Sequence, residues 1–231
     1  MVFLIDASVY IFRAWFSLPP TLTGPDGEPV NAVYGFTGFL LGLLESEQPA
    51  HVAAAFDESL TTSFRNALYP DYKASRELPP PELEAQLRAC AEVAAALGLA
   101  TFASPTYEAD DLIGGLAATA RRASRPVTIV SRDKDLGQLL QDGDTLWDGA
   151  DRRAGPADIE ARFGVPPRAI PDLFGLMGDA VDNIPGVRGI GARTAAALIA
   201  HFGDLEALYA NLDSIDSLEL RGTARIRRLL E

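Results

Sequence analysis

The sequence predicts an α/β fold: a mostly parallel sheet flanked by helices on both faces, followed by a smaller helical region. Three observations carry this expectation. Short apolar runs alternate with stretches of helical periodicity over about the first 150 residues. Those runs are continuously apolar, as strands buried on both faces are. From about residue 165 the pattern changes to short helices joined by Gly-rich turns.

The elements follow in order. Val2 to Ile5 reads as a first strand. Asp6 and Arg13 interrupt the apolar N-terminus and no small-residue cleavage site follows, so the segment reads as a buried strand and not as a secretory signal. A helix is expected over 33–48, and Val52 to Phe56 forms a second strand. The segment from Leu60 to Pro81 lacks a steady apolar face and ends in Pro79-Pro80-Pro81. It reads as a connecting loop of the length that is often functional. A helix over 82–97 places Leu83, Leu87, Cys90, Ala94 and Leu97 at helical spacing, with Gly98 as its stop. Ala100 to Phe102 and Val127 to Val130 read as strands, Thr145 to Trp147 as a weaker one, and helices are expected over 108–123 and 135–141. The natural division is a core over 1–164 and a helical part over 165–231.

The longest apolar stretches, such as Phe39 to Leu44, are far too short to cross a bilayer. Cys90 is the only cysteine, so no internal disulfide can form, which fits a reducing cytoplasm. The formal net charge of −12 argues against a nucleic-acid partner when taken alone. Its distribution argues otherwise. Nine acids fall in a few tight motifs, and without them the charge is about −3. Between Asn183 and Gly203 there are two arginines and no acid, and Arg221, Arg225, Arg227 and Arg228 crowd the end.

Seven of those nine acids sit where strands end. The first strand finishes at Asp6 and the second at Asp57. Glu108, Asp110 and Asp111 follow the third, Asp133 and Asp135 follow the fourth, and Asp179 and Asp182 add a pair at one-turn spacing. In a parallel sheet all these strand ends share one edge, where ligands gather. A single acid after a strand is usually a helix cap. Capping does not account for so many in one place, and so many carboxylates could not all ionise without counter-charge. All-oxygen ligands favour Mg²⁺, with Mn²⁺ as a substitute, over Zn²⁺; His51 and His201 lie outside these motifs. Two or more hard cations in such a crevice are a recurring device for phosphodiester hydrolysis. Lys134 sits among the acids, either as a charge that neutralises a transition state or as a simple partner of Asp133 or Asp135.

The segments FLIDAS near the start, FD and FR at Asp57 and Arg65, YEADD at 107–111, RDKDLGQLL at 132–140 and GDAVDNIPGVRGIGARTAAALI at 178–199 together resemble the 5′-nuclease (flap endonuclease) superfamily. The likeness is strongest to the 5′→3′ exonuclease domain of bacterial DNA polymerase I and its stand-alone relatives. It implies a PIN-like core with a helix–three-turn–helix element, the nine acids as metal ligands, and Arg65 with Lys134 as catalytic cations. It implies cleavage at DNA 5′ flaps and ends to leave a 5′-phosphate and a 3′-hydroxyl, by a monomer with no membrane association. Arg65, Tyr72, Lys73 and Arg76 match the family's helical arch, where Tyr72 would stack on a base. Tyr10 and Arg13 resemble a stacking and phosphate-contacting pair, although an aromatic there fits a core equally well.

The turn Gly186-Val187-Arg188-Gly189-Ile190-Gly191 leads into a helix with Arg193 and Thr194 in its first turn. Glycines let backbone approach a phosphate, and helix-start N–H groups attract anions. The resemblance assigns this element to duplex binding and allows a K⁺ held by its carbonyls. Two departures stand out. Asp6 is followed by Ala-Ser where Gly-Ser is common, and the chain ends at Glu231, which puts the completeness of the tail from Leu220 in question. Two further classes stay open from the residues alone: a DNA-holding protein with weak catalysis, and an RNA-cutting relative. A phosphatase that forms an aspartyl-phosphate is disfavoured, because Ser8 stands two places after Asp6 where that mechanism needs a second aspartate.

Overall fold

A computed structural model describes residues 1–58, 62–218 and 220–231. Strand β1 (Val2–Asp6) lies in the middle of a six-stranded sheet of order β3-β2-β1-β4-β5-β6. β2 (Val52–Asp57), β3 (Ala100–Ser104), β4 (Val127–Val130) and β5 (Thr145–Trp147) run parallel to their neighbours, and the short β6 (Arg153–Ala154) is antiparallel. The chain builds outward from β1 to β3, then returns to the other side of β1 for β4 and β5. The strand order therefore reverses between β1 and β4, and a crevice opens at the carboxyl ends there.

Strand period divides the core. Leu4, Ala53, Ala55 and Ile129 face one side, where α5 (Ala109–Arg122) contributes Ile113 and Ala117. Phe3, Ile5, Ala54, Phe56 and Val130 face the other, packed under α1 (Ala7–Ser17), α2 (Asn31–Glu47) and α4 (Pro81–Ala96). Phe36, Ile5 and Ile113 are fully buried, and each such side chain contributes about 1.5–3 kcal/mol. The expectation of strands covered on both faces fails for β3, whose residues are all exposed except the half-buried Ser104. It is an edge strand, and its Ala-Thr-Phe-Ala run packs against little.

The expected helices over 33–48, 82–97 and 108–123 appear as α2, α4 and α5, with ends moved by one or two residues. The helix expected over 135–141 is a 3₁₀ turn, Asp135–Leu139. Its start is set by the Asp133 side chain, which accepts the Asp135 N–H at 2.8 Å and favours a tight turn. The 60–81 segment contains α3 (Phe64–Leu68) and then a chain of turns; its residues 60 and 61 lie outside the described residues.

After α6 (Pro156–Phe163) come α7 (Ile170–Met177), α8 (Ala192–Phe202), α9 (Leu205–Ala210) and α10 (Thr223–Leu230). Their Leu173, Leu198, Leu208 and Ile226 belong to the same buried cluster as Ile113 and Ile129. The helical part is thus fixed to one face of the sheet by continuous packing. No helix of the described residues is long and apolar enough to cross a membrane.

Candidate active site

The crevice beyond β1 and β4 is a cleft of about 900 Å³. Eight of the nine expected acids line it: Asp6, Asp57, Glu108, Asp110, Asp133, Asp135, Asp179 and Asp182. They arrive from five chain segments. β1 and β2 end on Asp6 and Asp57. Glu108 is the N-cap of α5 and Asp110 sits in its first turn. Asp133 and Asp135 start the turn after β4. Asp179 and Asp182 stand in a tight turn closed by Asp179 and Ile184, which exchange backbone hydrogen bonds at 2.9 and 2.7 Å.

Several acids also fix local backbone with one oxygen. Asp57 Oδ1 accepts the Ala109 N–H at 2.8 Å, so β2 caps α5. Asp179 Oδ1 accepts the Val181 N–H at 2.7 Å. The buried Asp6 Oδ2 accepts from Ser131 Oγ at 2.7 Å, a partner that sequence reasoning missed although it stands in the SRDKD segment. Asp111, expected as a ligand, lies outside this cleft. Its Oδ2 accepts the Glu108 N–H at 3.0 Å as a helix cap, and its two oxygens take both ends of the Arg65 fork at 2.6 and 2.8 Å. Burial pushes this carboxyl up, but the Arg65 bonds outweigh it and hold it below the usual range.

The inner acids behave in the opposite way. Burial, with Asp57 and Asp133 close by, raises the Asp6 carboxyl to about 7 against the bond from Ser131. Burial and then Asp6, Asp133 and Asp57 raise Asp110 to about 8. Burial and then Asp133 raise Asp135 to about 6, with Asp179 and Asp182 adding to the shift against Lys134. These mutual repulsions define two overlapping groups. One is Asp6, Asp57, Asp110 and Asp133; the other is Asp133, Asp135, Asp179 and Asp182. Asp135 Oδ1 is buried with no hydrogen-bond partner. Among the described residues no three such side chains stand at ready-made ligand spacing; like charges line the cleft but keep apart.

The segment after α3 folds down over this cleft. Lys73 Nζ lies 2.5 Å from Glu108 Oε2, and Arg76 Nη2 lies 2.7 Å from Asp182 Oδ1. The Lys73 N–H donates to the Asp182 carbonyl, and Asn183 Nδ2 donates to the Asp71 carbonyl at 2.7 Å. Tyr72 is a correction to the expected stacking platform. It is only 7% exposed, and its hydroxyl stands 3.1 Å from Glu108 Oε2 and 3.2 Å from Asp182 Oδ2. Tyr10 is a second correction: it is buried in the core with its ring stacked on Phe39 at 3.9 Å, and it does not line the cleft. Arg13, on the same helix, is exposed and also outside the cleft lining. Lys134 lines the cleft, 3.9 Å from Asp135 and over the Phe174 ring.

The glycine turn stands next to the Asp179–Asp182 turn. Gly186, at φ +59°, packs so tightly that a Cβ there would lie 2.3 Å from the Gly178 nitrogen. This contact ties the two turns together. Arg188, Gly189, Gly191 and Arg193 are exposed, whereas Ile190 is buried as an anchor and Val187 packs on the core. Gly191 caps α8 without a side chain, so Ala192, Arg193 and Thr194 begin the helix with no side-chain cap.

Two family models divide the chain without a gap. The 5′-3′ exonuclease N-terminal resolvase-like domain matches residues 1–164, and the 5′-3′ exonuclease C-terminal SAM fold matches residues 165–229. The chain belongs to the 5′-3′ exonuclease family. As a member it is a nuclease, a hydrolase of phosphodiester bonds. Relatives include DNA polymerase I of Rhizobium leguminosarum, 40% identical over 96% of this chain and 22% of the relative. DNA polymerase I of Bacillus subtilis is 39% identical over 94% of this chain and 25% of the relative. The chain thus spans about a quarter of the length of the curated relatives it matches. Among solved structures, the exonuclease-family fold is shared with the 5′-exonuclease of T5 (TM-score 0.77, 23% identity, 99% of this chain, 83% of that one). It is shared more loosely with the Rad2 catalytic core (TM-score 0.58, 17% identity, 99% of this chain, 72% of that one).

Proposed function

We propose that the chain is a divalent-metal-dependent, structure-specific 5′ nuclease that cuts DNA at 5′ flaps and at 5′ ends next to duplex, leaving a 5′-phosphate and a 3′-hydroxyl. Residues 1–164 act as the nuclease core and 165–231 as the duplex-binding part of a monomer, and the work belongs to DNA replication and repair. The observation that carries this reading is the convergence of eight carboxylates from five chain segments on one cleft.

The residues fit hard cations. The donors are all oxygens, one of them is buried without a hydrogen-bond partner, and burial with like charges makes ionisation costly without an added cation. That donor set suits Mg²⁺, or Mn²⁺ in its place, better than Zn²⁺. A T5 flap endonuclease of the same fold was crystallised with DNA and metal ions. Bound metal would supply a water of lowered pKa and neutralise charge on the leaving 3′ oxygen.

The chain's own groups do the positioning. Lys134 presents an ammonium to the cleft for the scissile phosphate. Arg65, Lys73 and Arg76 exchange Asp111, Glu108 and Asp182 for phosphate oxygens as a single strand enters. Gly186 to Gly191, with Arg188, Arg193 and Thr194, hold the duplex through phosphate contacts that carry no sequence information, and the carbonyls of this turn are where a K⁺ would be held. Arg13 reaches phosphate only from outside the cleft, and Tyr10 supports the core.

The test is cleavage of an end-labelled 5′-flap duplex. Turnover is expected with Mg²⁺ or Mn²⁺, and none with chelator. Tight binding without cleavage in both metals would overturn the reading and leave a DNA-holding protein on the same scaffold.

A further inference from the structure

The arginines crowded into the last turns of the chain have no part in the site described above. Helix α10, which carries them, is firmly placed: Ile226 and Leu230 are buried in the core shared with α7 and α8. Its neighbouring face meets the glycine turn. A Cβ placed on Gly189 would stand 3.1 Å from Leu229 Cδ1 and 3.6 Å from Arg225 Nη2. Residues 225 and 229 are one helical turn apart and share that face.

Arg225 and Arg227 differ sharply. Arg227 lies 2.6 Å from Asp213, 3.2 Å from Asp216 and 2.9 Å from Glu231, so its charge is neutralised within the helical part. Arg225 is exposed, as are Arg188 and Arg193, and among the described residues no carboxylate pairs with it. Neither the segment from Asn183 to Gly203 nor α10 contains an acid. On a chain of net charge −12, two acid-free, arginine-bearing elements are packed against each other at one turn.

We infer that α10 is the second half of the duplex-binding surface, with Arg225 holding a backbone phosphate next to the one held by the Gly186–Gly191 turn. This rests on the reading of that turn as a duplex site. The forked guanidinium suits a phosphate, and Gly189, having no side chain, lets Leu229 pack close against the turn and so brings Arg225 beside it. Arg225 acts as a positioning residue: it aligns the duplex and does not touch the reacting atoms.

The experiment is anisotropy titration of the full chain with a labelled flap duplex in chelator, across a KCl series, with cleavage kinetics in Mg²⁺ alongside. Arg225→Gln is expected to weaken binding about fivefold and lower the salt slope by about 1, the signature of one lost phosphate contact. KM should rise while kcat stays within about twofold, and Arg225→Lys should recover part of the affinity. Arg227→Gln should leave affinity and slope unchanged. Wild-type affinity and slope in Arg225→Gln, while Arg188→Gln with Arg193→Gln still weakens binding, would overturn the role of α10 alone. Equal losses from Arg225→Gln and Arg227→Gln would also overturn it, since a general charge effect would then suffice. A wild-type chain with no duplex affinity would sink the turn and the helix together.

Discussion

Glu108 and Asp110 are two residues apart at the start of one helix and line the same cleft, yet they meet opposite electrostatic fates. Glu108 has the Lys73 ammonium at 2.5 Å and the Tyr72 hydroxyl beside it. Asp110 is raised to about 8 by burial and by Asp6, Asp133 and Asp57, with Lys73 only a minor relief. The outer acids Glu108, Asp111 and Asp182 are paired with Lys73, Arg65 and Arg76, although Asp182 also faces Asp135. The inner acids are left to repel one another. The difference teaches where an added cation gains most: at the inner set, where the fold concentrates charge without supplying a partner.

The largest expected effect breaks or supports this contrast directly. Asp110→Asn should lower flap cleavage by about 10²–10³-fold, because it removes a group acting on charge in the reacting complex. The same change should leave the melting temperature in chelator unchanged or higher, since an amide is neutral there without having to hold a proton. Glu108→Gln should do the reverse in chelator and melt lower, because Lys73 loses its anion. If Asp110→Asn destabilises the metal-free protein as much as Glu108→Gln does, the inner and outer sets are not distinct.

A second effect concerns pH. Asp6 and Asp110 have folded-state values near 7 and 8 against an unfolded value of 3.8. Between those limits the folded state holds protons that the unfolded state has released. Metal-free stability should therefore fall as pH rises from about 4 to about 8 and level off above. Mg²⁺ displaces those protons, so its stabilising effect should be larger at pH 8 than at pH 5.5. Chemical denaturation at both pH values, with and without Mg²⁺, measures this. A metal-free protein that gains stability over that rise would contradict the inner-set assignment.

Much of this was legible in the sequence because strand ends and acids are both local signals. Four strand-end motifs and the Asp179–Asp182 turn named the cleft before any geometry, and five strands and three long helices stood close to their expected ends. What failed were matters of partner and direction. Asp111 and Glu108 look alike in YEADD, and only the position of Arg65 separates a capped ion pair from a cleft acid. Tyr72 and Tyr10 each suit a base or a core, and the sequence does not say whether Glu108 and Asp182 or Phe39 lies beside the ring. The exposed edge of β3 was hidden because Ala and Phe read as buried whatever covers them. Arg225 and Arg227 were equal members of a basic cluster until their neighbours were known.

The smallest effect sharpens the outer half of the comparison. Lys73 is held at φ +55°, a left-handed conformation that costs a residue with a side chain about 1 kcal/mol. Two contacts hold it there: its N–H to the Asp182 carbonyl at 3.1 Å and its ammonium on Glu108. Lys73→Met keeps the length and the backbone bond but removes the charge, leaving Glu108 with only Tyr72. Loss of a hydrogen bond between charged groups, both about nine-tenths buried, should cost about 1.5–3 kcal/mol in urea unfolding with chelator. Lys73→Gly relieves the backbone strain while losing the same charge, so it should fall by less than Lys73→Met despite its greater unfolded-chain freedom. If Lys73→Met unfolds at the wild-type urea midpoint, the ion pair contributes nothing and Glu108 must be stabilised by Tyr72 alone. If it loses stability with chelator but regains it with Mg²⁺, the outer acids too respond to added cation, and the boundary between the two sets is set by Lys73 itself.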